Sequence, residues 1–332
     1  MATKRTRSEV EFGPNAPNLS TLGVFTYQGA LSTHYVPAKK EDGALPALLS
    51  AVFGSRRRHS TFSMTSSAEG DFLVLDESLH RELFGGAGAQ VWSCLYIHEG
   101  SSERSGAEIS GALSTLCDRL ARARVPVLNV CTLSRNFMLV RQDVAERALT
   151  TLRSAVEESC GRPGTTAIGD IGEDVRASES GNGGSVGGSA TGGGGGDASM
   201  SGVRIELKRA EVCIGTLSVE EIKTASHALL SLFFLRRSRP AFTHYFEMGG
   251  EVSLILDSAS LDALKLNEPT SAATLLAALE PTLSSGWRVL SVTAPAGSDG
   301  IGILGAVCLP LAGLPLLNVR PHAETRASRT RC

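Results

Sequence analysis

No C-x-x-C pair, no apolar run of membrane-spanning length and no excess of either charge occurs in these 332 residues. Each absence removes a class of function. Thirty-two Lys and Arg stand against 34 Asp and Glu, a net charge of -2, so nothing draws the chain as a whole to phosphate backbones or anionic membranes. Nucleic acid and membrane are therefore not expected partners. The basic start Met1 to Arg5 runs into Ser8-Glu9-Val10-Glu11-Phe12-Gly13-Pro14 instead of a signal-type apolar segment. Seven cysteines, an odd number without paired spacing, point to the reducing cytoplasm, where thiols serve as small core residues.

The motifs of common chemistries are missing as well. There is no G-x-S-x-G elbow, no P-loop lysine motif and no kinase set, and no cysteine has a recognisable His partner. The seven histidines (34, 59, 80, 98, 227, 244, 322) form no metal-ligand spacing. No catalytic residue, metal ligand or cofactor is assigned, and a non-enzymatic protein is expected. Arg56 to Arg58 and Arg236 to Arg239 lie between helix and strand without interleaved aromatics, which reads as solvated turns, with a protein-binding surface as the alternative.

What is present is apolar content of 42%, enough for real cores, and a duplication. From about Gly161 the pattern dissolves into Gly and Ser until Val203. Such residues bury nothing that offsets the entropy of ordering them, and at about 5–6 Å times √n some forty of them span roughly 35 Å. The flanks match. Ala47-Leu48-Leu49-Ser50-Ala51-Val52-Phe53 and Phe72-Leu73-Val74-Leu75-Asp76 return as Ala228-Leu229-Leu230-Ser231-Leu232-Phe233-Phe234 and Val252-Ser253-Leu254-Ile255-Leu256-Asp257. Further on, Trp92, Cys117-x-x-Leu120-Ala121 and Pro126-Val127-Leu128-Asn129-Val130 return as Trp287, Cys308-x-x-Leu311-Ala312 and Pro315-Leu316-Leu317-Asn318-Val319. The chain reads as units A and B, a linker, then A′ and B′.

Periodicity fills these units. In A it predicts a strand at 23–28, a helix at 43–53, strands at 59–65 and 71–75 and a short helix; in B, a strand at 91–98, a helix carrying Ile109, Ala112, Leu113, Leu116 and Leu120 on one face, strands at 125–131 and 137–140, and a helix from 142 to about 155. The order β-α-β-β-α implies an α+β fold of ferredoxin-like units with helices on one face. The expected divisions are a disordered 1–19, units at 20–90 and 91–160, a linker at 161–202, and units at 203–285 and 286–332. The last is expected to be incomplete, because nothing after strand 314–320 matches Phe137 to Val140.

Gly300-Ile301-Gly302-Ile303-Leu304-Gly305 is a G-x-G-x-x-G after the strand at 288–292, with Glu324 about twenty residues on. It admits a dinucleotide site, a glycine-rich helix entry packed closely on its sheet, or a helix start whose free N–H groups hold a carboxylate. Asp299 and Glu108 sit just before the two equivalent helix starts, as ligand-reading acids or as ordinary first-turn acids.

A strand, a glycine-bearing loop, a helix and a P-x-L-N-V strand are how ACT domains look. Phe233-Phe234-Leu235-Arg236-Arg237-Ser238-Arg239 through Ile255-Leu256-Asp257, with Val125 to Thr132 running into Asn136 to Val140, resembles the CASTOR family of cytosolic amino-acid sensors in particular, over about residues 20–160 and 203–320. The resemblance implies four tandem ACT-like units, an amino acid, arginine above all, held between the second and fourth, a homodimer, and a GATOR-type regulatory complex in TORC signalling as partner. Carried over, the site is backbone at Pro126 and Val127, then Gly297, Gly300, Gly302, Leu304, Pro321, His322 and Thr325. The family's acidic pocket positions fall on Gly300 and Thr325, one residue from Asp299 and Glu324. An amino-acid sensor is the leading expectation, with a ligand-independent interaction module and a dinucleotide-binding enzyme fragment as alternatives.

Overall fold

The structure, a computed structural model, describes residues 19, 22–38, 61–85, 90–99, 106–131, 136–160, 170–171, 203–235, 239–248, 251–293 and 301–308. The expected helix at 43–53, Arg56 to Arg58, the strand at 314–320 and most of the linker lie outside these residues. Among them, eleven strands form one sheet, antiparallel but for a single two-residue pairing, with helices packed on it: an α+β fold.

The first unit has β1 (Leu22–Pro37), β2 (Phe62–Ser67), β3 (Gly70–Asp76) and α1 (Glu77–Phe84). The second has β4 (Val91–Glu99), α2 (Gly106–Arg122), β5 (Val127–Cys131), β6 (Asn136–Arg141) and, after one 3-10 turn, α3 (Ala145–Cys160). After β7 (Asp170–Ile171) come β8 (Arg204–Ser218), α4 (Val219–Phe233), β9 (Phe242–Met248), β10 (Glu251–Asp257), α5 (Ser258–Asn267) and α6 (Pro269–Leu279). The fourth unit is described by β11 (Ser284–Thr293) and α7 (Ile303–Cys308).

Strand order is β11-β8-β10-β9-β2-β3-β1-β4-β6-β5. In each of the first three units the third strand lies between the first and second, the ferredoxin-like arrangement. What the local pattern does not reveal is the sharing of first strands. β1 is far longer than the expected 23–28: Leu22 to Tyr27 pair with β4, and Leu31 to Pro37 pair with β3. The register slips between Tyr27 and Ala30, where Gly29 takes φ 118° at the bulge. β8 is divided likewise, Arg204 to Val212 on β11 and Val212 to Ser218 on β10. The equivalence reaches single residues: Trp92 opposes Leu31, which opposes Asp76, and Trp287 opposes Val212, which opposes Asp257.

The repeated aspartate ties strand to strand. Oδ2 of Asp76 accepts the Thr61 N–H at 3.0 Å, and Oδ2 of Asp257 accepts the Phe242 N–H at 3.1 Å, each partner lying 15 residues upstream. Asp257 does more, since its Oδ1 also accepts the Ser260 N–H at 2.6 Å and caps α5. Asp257→Ala is therefore expected to cost about 1–2 kcal/mol in chemical denaturation and Asp76→Ala about 1 kcal/mol or less. Equal losses would deny the cap its role. α4 begins on a capping box that its Ser-x-x-Glu spells out, with Ser218 Oγ accepting from Glu221 N and Glu221 accepting from Ser218 N. The face with Ile222, Ala225, Leu229 and Leu232 then enters the core.

The two largest cores lie on the helical face. One is common to units A and A′, running from Val36, Met64 and Leu73 to Leu229, Tyr245 and Leu275. The edge strands β2 and β9 pair antiparallel, Phe62 opposite Glu247 through Ser67 opposite Phe242, so the halves have one continuous interior. The other core belongs to unit B and includes Leu19, whose N–H donates to Ser159 Oγ at 3.1 Å. Leu19, the last residue of the expected disordered 1–19, is thus buried and hydrogen-bonded, while residues 1–18 lie outside the described residues. Within the expected linker, Asp170–Ile171 run parallel to Thr26 and Tyr27 of β1. Nor is Arg239 only a solvated turn: Nη1 meets Asp71 Oδ1 at 3.0 Å, both half-buried or less exposed, linking A′ to A. Among the described residues α6 has no counterpart between α1 and β4, so the repeat does not predict it.

The face away from the helices is not open. Leu31, Val74, Trp92, Cys94, Phe137, Leu139, Phe246 and Met248, all strand residues, bury one another. Phe137 on β6 and Phe246 on β9 meet edge to face, centroids 5.6 Å apart, although four strands separate theirs in the sheet. The sheet has curled until its concave side closes. His244 lies in that interior, with Nδ1 2.9 Å from Thr65 Oγ1, and burial holds its pKa down to about 3. In the unfolded chain it titrates near 6.5, so between these values the unfolded state binds the extra proton. Stability from this group is complete above the unfolded value and is lost as pH falls towards the folded one. His244→Leu is expected to remove a slope of up to ~1.4 kcal/mol per pH unit in that window, read from unfolding midpoints. Glu247, raised by burial, is common to both proteins and cancels in the comparison.

Candidate ligand site between the second and fourth units

The place where unit B meets B′ is made by two helices. α2 buries Ala112, Leu113, Leu116, Cys117 and Leu120, the 3-4 spacing of an amphipathic helix. It starts at Gly106, so Glu108 lies inside its first turn and not ahead of it. Its end is a Schellman turn: Val125 N donates to Leu120 O at 2.9 Å and Arg124 N to Ala121 O at 3.0 Å. Arg124 takes φ 57°, a left-handed conformation usually given to glycine, at a cost of about 1 kcal/mol. This reversal puts Val125 and Val127 at the foot of the helix and starts β5 beside it.

α7 crosses α2 at close range. Gly302, at φ 79°, turns the chain in, and a side-chain carbon there would sit 3.6 Å from Ala121 Cβ. At Gly305 it would lie 3.4 Å from Asp118 N and 3.5 Å from the Cys117 carbonyl carbon. Ile303 and Val307 face the sheet with Val292 and Val203, while Leu304 reaches into the core of unit B. Gly302 and Gly305 thus let a helix approach another helix, an arrangement that none of the three readings of the G-x-G-x-x-G string included. β11, which precedes them, pairs antiparallel with β8. A dinucleotide fold requires a parallel strand at that point, so the dinucleotide reading does not hold for these residues.

Between the helices is a crevice lined by Cys117, Val125, Val127, Gly302, Leu304 and Gly305. Its volume, about 10 Å³, is roughly that of one water molecule. Of the sequence-derived residues, Val127, Gly302 and Leu304 come together here and Pro126 directly precedes Val127. Gly297, Asp299, Gly300, Pro321, His322, Glu324 and Thr325 lie outside the described residues. Cys117, Val125 and Gly305 were not assigned to the site from sequence. Cys117 and Gly305 stood in motifs already noticed, but which side of a helix they serve is decided by its partner. None of the six lining residues is charged. On the same helix, Asp118 and Arg122 pair with each other at 2.9 Å. The walls offer apolar surface and backbone groups, suited to a small molecule's apolar part or its backbone-like polar groups.

Among the described residues there is no cluster of three or more metal-binding side chains and no helix long and apolar enough to cross a membrane. Cys94 and Cys117 are buried thiols, and burial pushes the Cys94 thiol far up.

No family model and no curated protein matches the chain. Among solved structures it is similar to a Vibrio cholerae protein of unknown function, described as a possible transport protein, with 18% identity over 42% of this chain and 94% of that one, TM-score 0.31. An Agrobacterium tumefaciens protein gives 15% identity over 41% and 89%, TM-score 0.30. Aspartate kinase from Synechocystis gives 11% identity over 89% of this chain and 50% of that one, TM-score 0.31. Likenesses this distant carry none of the conclusions below.

Proposed function

We propose that the chain is a non-enzymatic cytoplasmic sensor that binds an amino acid between units B and B′ and thereby alters its affinity for a protein partner. The observation behind this reading is the α2/α7 crossing, where two duplicated units meet at glycines over an uncharged crevice. The crevice is too small for an amino acid as it stands. A ligand must therefore separate α7 from α2, and differential affinity for the two arrangements is what a sensor needs. The resemblance to the CASTOR family supplies the ligand class, with arginine first, and a GATOR-type complex in TORC signalling as the partner. The charged recognition would fall to Asp299 and Glu324.

Titration of the full chain with all twenty amino acids by calorimetry, with thermal shifts in parallel, tests this. Binding of one or a few, lost in Asp299→Asn or Glu324→Gln, is expected; no heat and no shift for any would end the proposal. The small crevice also favours a second reading, a module that binds its protein partner without a ligand. Capture of the partner at equal strength with and without every amino acid would establish that one.

A further inference from the structure

Ser114 carries a buried hydroxyl that, among the described residues, has no hydrogen-bond partner, not even the carbonyl one turn back that helical serines commonly use. It stands on α2 two positions before Leu116, so its side chain points about 200° round the helix from a residue fully buried in the core of B. A residue turned so far from the sheet would ordinarily meet water, yet Ser114 is 1% exposed. The helix crossing explains the burial. Ser114 shares the side of α2 that bears Cys117, Asp118 and Ala121, which lie three, four and seven residues on. Gly302 comes down beside Ala121 and Gly305 beside Cys117 and Asp118, so α7 runs opposite to α2 and its last turn, to Cys308, reaches the level of Ser114. The repeat makes the two sides of this contact unequal. Three residues before the repeated cysteine, B has Ser114 where B′ has Gly305. One helix meets its partner there without a side chain, the other with a hydroxyl that the contact strips of water.

We infer that Ser114 is a built-in bias towards opening of the α2/α7 crossing, and that this bias regulates how strongly a ligand is held there. A hydroxyl buried without a partner charges its desolvation to the closed arrangement, whereas separation of the helices returns it to water or to a polar group of the ligand. That penalty corresponds to a shift of about fivefold to a hundredfold in a two-state equilibrium. The inference rests on the amino-acid sensor proposed above, whose ligand must part these same helices. Closure is favoured by Leu304, which packs into the core of B, and by the close approach at Gly305; the Ser114 hydroxyl opposes it. Ser114 is uncharged and is not among the six residues lining the crevice, so its removal changes the equilibrium and leaves those walls in place.

Hydrogen exchange of the ligand-free full chain and calorimetry with the twenty amino acids, each on the natural chain and on Ser114→Ala, test it. The alanine variant is expected to slow exchange of the α7 amides about fivefold to a hundredfold, and to weaken binding of whichever amino acid the natural chain takes by a similar factor. Ser114→Cys, close to serine in size with a weaker donor, should move both in the same direction by less, and serves if the alanine variant misfolds. Exchange in α7 that is unchanged or faster would overturn the inference, because the hydroxyl would then have a partner in the closed form, a bridging water included. Slower exchange with undiminished affinity would overturn it as well, since the opening would not be the step that admits the ligand. No heat from any amino acid on either chain, with α7 still slowed by alanine, would end the sensor reading and leave Ser114 as the group that opens the crossing.

Discussion

Phe246→Ala is expected to lower the unfolding free energy by about 3–5 kcal/mol, the largest loss foreseen for a single residue here. Phe246 is 1% exposed and stands on the concave face, where it closes the curl against Phe137. Truncation leaves a cavity between strands that the sheet does not otherwise join, so the contact between A′ and B is weakened along with the core. Hydrogen exchange read strand by strand separates the two effects: β6 and β9 should lose protection together, ahead of the helical-face cores. If only β9 responded, the curl would be held by something other than this pair. In a double-mutant cycle with Phe137→Ala the rings should couple by about 0.5–1.5 kcal/mol.

Gly305→Leu is the second large effect. The Cβ alone is accommodated, meeting Asp118 N at 3.4 Å, so Gly305→Ala should be nearly neutral. A leucine must go on into the α2 backbone and drive α7 away, at a cost of about 1–3 kcal/mol. The expected signature is faster amide exchange in α7 and loss of any amino-acid response, with the A–A′ core unchanged. Unaltered exchange in the leucine variant would show that the helices do not meet at this glycine. The Ala and Leu variants together distinguish a close approach from a requirement for glycine's backbone freedom.

Much of the fold was legible because its signals are local. Leu73, Leu75, Leu254 and Leu256 alternate as strand residues must, and Leu113, Leu116 and Leu120 recur as a helix face must. The repeated Leu-Asp at 75–76 and 256–257 marked equivalent strand ends, and the hydrogen bonds of Asp76 and Asp257 give the physical reason. The site was legible only in part. Gly302 stood out as a glycine in a motif, yet that motif fits a phosphate loop, a sheet contact or a helix crossing equally well, and the antiparallel β11 with the Cys117 backbone beyond Gly305 decides among them. Val125 gave no sign at all, being one apolar residue at a strand entrance until the Schellman turn brings it to the crevice.

By itself the sequence determined the repeated strings, the kind of most of the described elements and which residues are apolar, since composition and periodicity are properties of neighbouring residues. Tertiary structure alone decided that β1 and β8 each serve two units, that Arg239 reaches Asp71, that the sheet curls until Phe246 meets Phe137, and that Gly302 and Gly305 admit a helix. The reason is that a strand's pattern states which face is buried but not which edge is taken. Edges are allotted only when all the strands compete for them, and that outcome leaves B buried on its helical face and B′ with Ile205 and Leu207 exposed beside β11.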